Sequence, residues 1–320
     1  MFRGGMRASV CLPLSKGCEC MHKRMALNQN KYIGLAYIAP WILGFLAFQL
    51  YPFLASLFYS FTNFDMVSLP RLIGLTNYMD IFTRDANFYA SIRATLIYAF
   101  VAVPSKLLFA LFIAMLLNMQ IRGIGFFRTA YYLPSILGGS VAVSIVWKFL
   151  FMRDGTVNSL LQALGIPPVG WLSSPAIAIY TLSLLSVWQF GSSMVIFLAA
   201  LKQIPADLYE AARTEGASPS RQFRSITIPL LTPTILFNLI MQTVNAFQEF
   251  TGAFVVTSGG PMKSTYLYAV KLYEEGFLFF RMGYASALSW VLFVTILALT
   301  LLIFKTSGRW VFYGDGGGAI

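Results

Sequence analysis

Residues 209–229 read YEAARTEGASPSRQFRSITIP, and Glu210, Arg213, Glu215, Arg221 and Arg224 crowd into this one stretch of a chain that is only 11% charged. Apolar runs flank it, over about 176–201 and 229–257. Each run is long enough to cross a bilayer, because a hydrocarbon core of about 30 Å takes about 20 helical residues. A polar segment held between two such runs reads as a loop at a membrane surface. Working outward, four further runs meet the same length, over about 32–61, 94–117, 129–151 and 284–304.

The composition agrees with lipid as the solvent. Hydrophobic residues make up 58% of the 320 positions, with 29 Phe and 16 Tyr; a soluble domain is typically about 25% charged. Spanning backbone must satisfy its own hydrogen bonds, so six runs imply an all-α integral membrane protein with six transmembrane helices. The alternation that a transmembrane barrel needs is absent.

The net charge of +11 raises the question of nucleic acid, and its distribution answers it. With six spans, the two termini and the second and fourth loops share one side, which carries fourteen of the 23 basic residues: Arg3, Arg7, Lys16, Lys23, Arg24, Lys31, Arg122, Arg128, Lys202, Arg213, Arg221, Arg224, Lys305 and Arg309. The other side has eight in longer loops, and Lys106 falls inside the second span. The positive-inside rule then puts both termini in the cytoplasm. The surplus is a topology signal, and no basic–aromatic nucleic-acid module accompanies it.

Residues 1–30 form a basic tail without an apolar stretch long enough for a signal peptide. Cys11, Cys18, Cys20 and His22 lie in it, but CLPLSKGCECMH lacks the paired spacing of zinc modules, so free thiols in a disordered cytoplasmic tail are the expectation. The domain reading is therefore a tail over 1–30, a transmembrane domain over 31–313 and a short tail over 314–320. No phosphate-binding G-x-x-x-x-G-K-[ST], no G-x-S-x-G and no H-E-x-x-H occurs, so the chain reads as neither a nucleotide-binding nor a hydrolytic enzyme.

Within the opening segment the spacing predicts two short helices joined by a bend. Pro205 suits a first helical position, DLYEAARTE follows with good helix formers, and Gly216 ends the helix. Ser218 caps the second, with Pro219 in its first turn. On residue type alone, a solvated positive loop that only enforces topology accounts for it.

Polar residues inside the spans are the candidate pathway. Asn238, Gln242, Asn245 and Glu249 recur at spacings of four, three and four, one helical stripe on the fifth span. Gln189, Ser192 and Ser193 share a face of the fourth by their i, i+3, i+4 spacing. Such residues at membrane depth face protein or water. Two readings stand side by side: interhelical glue, at about 0.6 kcal/mol per contact, or a path for a polar solute. Glu249 is the one acid placed inside a span, and Lys106 or Lys148 is its candidate partner.

The order of residues in the opening segment goes further. Glu210, Ala211, Ala212, Gly216, Ile226, Ile228 and Pro229 form E-A-A, three residues, G, nine residues, I-x-I-P, which resembles the E-A-A…G…I-x-L-P motif of bacterial ABC importer permeases, with Ile in place of Leu. YPFLASLFYSFTNFD, GFFRTAYYLPSILGGSVAVSIVWKFLF, VGWLSSP, TSGGP and MGYASALSWVLF look like the maltose/glycerol-phosphate-type sugar permeases, over about residues 30–313. The resemblance implies a type I ABC importer permease fold in the bacterial inner membrane. It implies that residues 202–228 hold coupling helices that dock on a separate ATPase. The implied partners are a second homologous permease, two ATP-binding subunits carrying ATP and Mg, an extracytoplasmic solute-binding protein and an oligosaccharide substrate, with no cofactor on this chain. It also implies a mid-membrane transport site on the spans flanking the E-A-A loop, where Gln189, Ser192, Gln242 and Asn245 fall. Two other classes compete: a stand-alone secondary transporter, which wants more embedded ionisable residues than one glutamate, and a membrane scaffold without substrate.

Overall fold

The computed structural model describes residues 33–119 and 123–312. The tail of residues 1–30 with its cysteines and histidine, Arg122 and the stretch 314–320 lie outside the described residues. Among the described residues the chain is helical throughout, with one isolated β-bridge between Thr62 and Leu72.

The chain divides into two units at Leu54 and Ala55. In the first, α1 (Ile33–Phe45) passes through a π turn (Leu46–Leu50) into α2 (Tyr51–Ser60), which carries the chain onward. No side chain of residues 37–54 is buried, as suits an apolar helix whose solvent is hydrocarbon. The π turn has a local cause. Pro52 has no N–H and its ring crowds the carbonyl four residues back, and a wider turn just before it relieves both.

The second unit runs through α3 (Thr76–Thr83), α4 (Ala86–Asn118), α5 (Ile124–Leu137), α6 (Val141–Phe151), α7 (Thr156–Ala163), α8 (Ala178–Trp188) and α9 (Gly191–Gln203). It continues with α10 (Ala206–Thr214), α11 (Pro219–Gln222), α12 (Ile228–Phe247), α13 (Tyr268–Tyr273) and α14 (Met282–Ser307). Among the described residues four helices are long and apolar enough to cross a membrane: Tyr37–Ser60, Ala86–Asn118, Pro219–Phe247 and Met282–Ser307. Two bent pairs complete the six expected crossings, Ile124–Leu137 with Val141–Ala163 at 98°, and Ala178–Trp188 with Gly191–Gln203 at 48°.

At the centre stands α4, packed against α8, α9 and α12. Ala94, Ala99, Ala102, Ala110 and Ala114 lie on its buried face, and small residues let neighbouring backbones approach where lipid gives no hydrophobic drive between helices. Tyr98, Leu182, Met194, Phe197 and Leu231 fill the core around them.

The second crossing begins at Ala86, eight positions before the apolar run suggested. Asp85 is the reason: its Oδ1 accepts from the backbone N–H groups of Asn87 (2.9 Å) and Phe88 (3.1 Å), capping the helix. The same carboxylate binds Lys271 Nζ at 2.6 Å and accepts from Tyr284 Oη at 2.5 Å, tying α4 to α13 and α14. Lys271 also meets Glu275 at 3.1 Å, and Glu275 meets Arg281 at 2.9 Å. Burial pushes the Asp85 pKa up, but the hydrogen bonds and charge of Lys271 and the Tyr284 hydroxyl outweigh it, holding the carboxyl below its ordinary range.

After α6 the chain turns around Asn158, which is fully buried. Its Nδ2 donates to the carbonyls of Arg153 and Val169, both at 3.0 Å, and its Oδ1 accepts from Val169 N and Trp171 Nε1, also at 3.0 Å. One amide thus satisfies the backbone of a loop rich in turn residues.

Candidate functional site

Three crossings are interrupted, and the interruptions meet. The third breaks at Gly138–Ser140, where Gly139 takes a φ of +84° and Ser140 Oγ restarts the helix by accepting from Val143 N at 3.3 Å. The fourth breaks at Gln189 and Phe190. Ser135 of α5 repairs that break, donating its hydroxyl to the Gln189 carbonyl (3.1 Å) and accepting from Ser192 N (3.0 Å). Backbone groups freed inside a membrane need such partners. The fifth ends at Phe247, and Glu249 Oε1 accepts from Gly252 N at 2.8 Å, capping the helical stretch that leads into a π turn at Ala253–Thr257.

A cavity of about 410 Å³ lies where these breaks converge, halfway along α4. Tyr98 and Lys106 line it from α4, Gly138 and Gly139 from the third crossing, and Ser186 and Gln189 from the fourth. Gln242, Asn245, Gln248 and Glu249 close the remaining wall. Gly138 is there for space: a Cβ on it would lie 2.5 Å from Gln189 Cγ and Cδ. Volumes of about 300–1,000 Å³ are usual for small-molecule sites. Among the described residues the four carboxamides have no side-chain hydrogen-bond partner, so their donors and acceptors are free to face a solute.

The predicted pathway residues separate into two groups. Gln189, Gln242, Asn245 and Glu249 are brought together at the cavity. Ser192 and Ser193 are not, because the 48° break falls between them and Gln189 and resets the helical phase on which their shared face depended. Ser192 is exposed, and Ser193 is fully buried, its hydroxyl without a hydrogen-bond partner among the described residues. Asn238 is buried away from the cavity, its Nδ2 donating to the Thr234 carbonyl at 3.2 Å. Glu249 lies beyond the end of α12 rather than on it, so the stripe stops at Asn245. No ion pair within 4.0 Å joins Glu249 to Lys106 or Lys148 among the described residues. Lys106 shares its cavity; Lys148 Nζ donates to the Val255 carbonyl at 3.5 Å and lines a different cavity.

The segment of residues 209–229 sits at the end of the bundle where α9 stops and α12 begins. Pro205 is the cap of α10 rather than its first helical residue. Glu210 and Ala211 are exposed and Ala212 half-buried. Gly216 adopts a φ of +79° with open space around it, which is the bend expected there. Ser218 caps α11, accepting from Arg221 N at 3.4 Å. The expected second short helix is a correction: α11 runs through a π turn (Phe223–Thr227) straight into α12, so Ile226, Ile228 and Pro229 belong to one helix from Pro219 to Phe247. The π turn precedes Pro229 as the earlier one precedes Pro52, and it accommodates the ring in the same way. Tyr209 and Thr227 hydroxyls share a 2.8 Å hydrogen bond that clasps α10 to this turn.

A family model described as "Binding-protein-dependent transport system inner membrane component" matches residues 87–311. The chain is 47% identical over 300 residues to the probable ABC transporter permease protein YesP of Bacillus subtilis (strain 168), covering 93% of this chain and 97% of that one. It is 35% identical over 279 residues to the lactose transport system permease protein LacF of Rhizobium radiobacter, covering 85% and 92%. Among solved structures, a bacterial ABC transporter involved in the import of the acidic polysaccharide alginate matches with a TM-score of 0.76 at 21% identity, covering 89% of this chain and 99% of that one. At that identity the likeness is one of fold.

Proposed function

Because the chain belongs to the family of binding-protein-dependent transport system inner membrane components, we propose that it is the solute-conducting subunit of an ATP-driven importer of sugars, in particular oligosaccharides. It is a multi-pass inner-membrane transport component with both termini in the cytoplasm. A second homologous permease completes the pathway. Two ATP-binding subunits hold the ATP and Mg, and an extracytoplasmic binding protein delivers cargo. ATP binding closes the ATPase pair and draws the coupling helices together, opening the cavity outward; hydrolysis returns it to face inward. In this reading Glu210, Ala211, Ala212, Gly216, Ile226, Ile228 and Pro229 transmit that stroke. The lactose permease relative supports the sugar class.

The observation that carries the proposal is the convergence of three helix breaks on a cavity with four uncommitted carboxamides. Glue would have paired those amides with neighbouring helices, whereas ring hydroxyls need donors and acceptors left free. The test is Gln242→Ala with Asn245→Ala in the reconstituted importer. Losing two solute hydrogen bonds should lower sugar uptake about tenfold or more, with subunit assembly unaltered. Unchanged uptake kinetics reject the cavity as the site. Uptake that survives ATP depletion but stops with an uncoupler would point to a secondary transporter instead.

A further inference from the structure

Resting on the reading of this cavity as the transport site, we infer that its solute carries a carboxylate and that Lys106 reads it, making the cargo an acidic, uronate-type oligosaccharide. Lys106 sits halfway along α4 and is 8% exposed, yet it makes no hydrogen bond or ion pair among the described residues. An ammonium has three donors and no acceptor; Glu249 acts on its charge from across the cavity, but no acceptor satisfies its donors, and a buried charge left without a hydrogen-bonded partner is costly. A residue kept under those terms is matched by a group that comes from outside the chain.

The remaining charges narrow the chemistry. Among the described residues Lys106 is the one cation lining this cavity; Lys148 belongs to another and is engaged by the Val255 carbonyl. Glu249, on the wall beyond α12, has Oε1 occupied by the Gly252 N–H and lies beyond 4.0 Å from Lys106. It offsets the cavity's charge when no solute is present without tying the ammonium down. A single ammonium is one point charge, enough to pair one carboxylate, and the Glu249 carboxylate nearby disfavours the second charge of a phosphate dianion; among the described residues no arginine, with its bidentate fork for phosphate, lines the cavity. Gln189, Gln242, Asn245 and Gln248 are left to read hydroxyls.

The experiment uses the assembled importer in nanodiscs without its binding protein, so that selectivity measured is that of the membrane complex. The probes are digalacturonate and its carboxyl-reduced neutral counterpart. Wild type should bind the acid about tenfold tighter or more, the usual advantage of a charge-assisted bond. Lys106→Gln should erase that preference by weakening the acid more than the neutral sugar, and Lys106→Arg should retain it. A wild type without preference, a Lys106→Gln that keeps it, or a Lys106→Gln that weakens both sugars equally overturns the inference. In those cases Gln242→Ala with Asn245→Ala decides how far the failure reaches. If that double variant still weakens both sugars, the cavity remains the site and Lys106 alone is misread; if it weakens neither, the site itself is misplaced.

Discussion

Replacing Lys271 by Met removes the hub of the network that joins α4, α13 and α14. Its side chain is 1% exposed, with Asp85 Oδ2 at 2.6 Å and Glu275 Oε1 at 3.1 Å. Breaking a buried pair by deleting one partner costs about 3–5 kcal/mol, because the other charge stays buried and uncompensated. Here both carboxylates keep some support. Asp85 retains the Tyr284 hydroxyl and two N–H groups of α4, and Glu275 retains Arg281. The expected loss is therefore nearer about 2–3 kcal/mol, read from denaturant midpoints of the purified protein in detergent. The pH dependence follows from Asp85, whose pKa is held below its ordinary value of 3.8. A lowered carboxyl contributes stability that is full above the ordinary value and is lost as pH falls through the folded one. The gap between Lys271→Met and wild type should thus be constant near neutrality and close in acid, below about pH 4. A difference under about 0.5 kcal/mol at neutral pH, or one that widens in acid, would refute the reasoning.

Gly216→Asp costs only the strain of a left-handed residue, about 1–2 kcal/mol, since a side chain there meets open space; it and Glu210→Lys should insert normally yet abolish substrate-stimulated ATP hydrolysis in the reconstituted complex. Gly191→Ala puts a Cβ 2.8 Å from the Tyr131 carbonyl and 2.9 Å from Tyr132 Cα, backbone that cannot swing aside, and thermal unfolding should show a loss of about 1–3 kcal/mol. The atoms nearest a Cβ in Gly138→Ala all belong to the flexible Gln189 side chain, so uptake should fall while thermal stability stays near wild type. Asn158→Leu strands the backbone of the loop it holds, and limited proteolysis should cut between residues 152 and 171 in the variant alone.

The crossings were readable because hydropathy sums over about 20 residues, and neither a bend nor a cap dilutes such a sum much. The breaks were less visible for the same reason. Gly138–Gly139 inside the third run and Gly191, directly after Phe190 in the fourth, are signals that a window average hides, whereas neither neighbour of Glu249 is a glycine or proline. Counting i, i+3, i+4 through Gln189 assumed an unbroken helix, and that assumption separated Ser192 and Ser193 from the cavity they were expected to share. Gln242 and Asn245 stay within α12, so their phase was reliable. Lys106 was legible as a candidate partner of Glu249, but nothing local to α4 says that three other crossings break beside it. The Asp85 network joins residues nearly two hundred positions apart, and Asn158 looks like any loop asparagine until the carbonyls it serves are in place.

The helix from Pro219 to Phe247 bears the elbow at one end and Gln242 with Asn245 near the other. Its 29 residues make a rod of about 43 Å at 1.5 Å per residue. A tilt of about 5° about its lower end sweeps the upper end by about 4 Å, more than the reach of a hydrogen bond. If Gln242 and Asn245 hold the solute as proposed, leverage of that kind means a small angular stroke is enough to pull two amides off a bound hydroxyl, with grip and release set by angle and no need for the rod itself to slide.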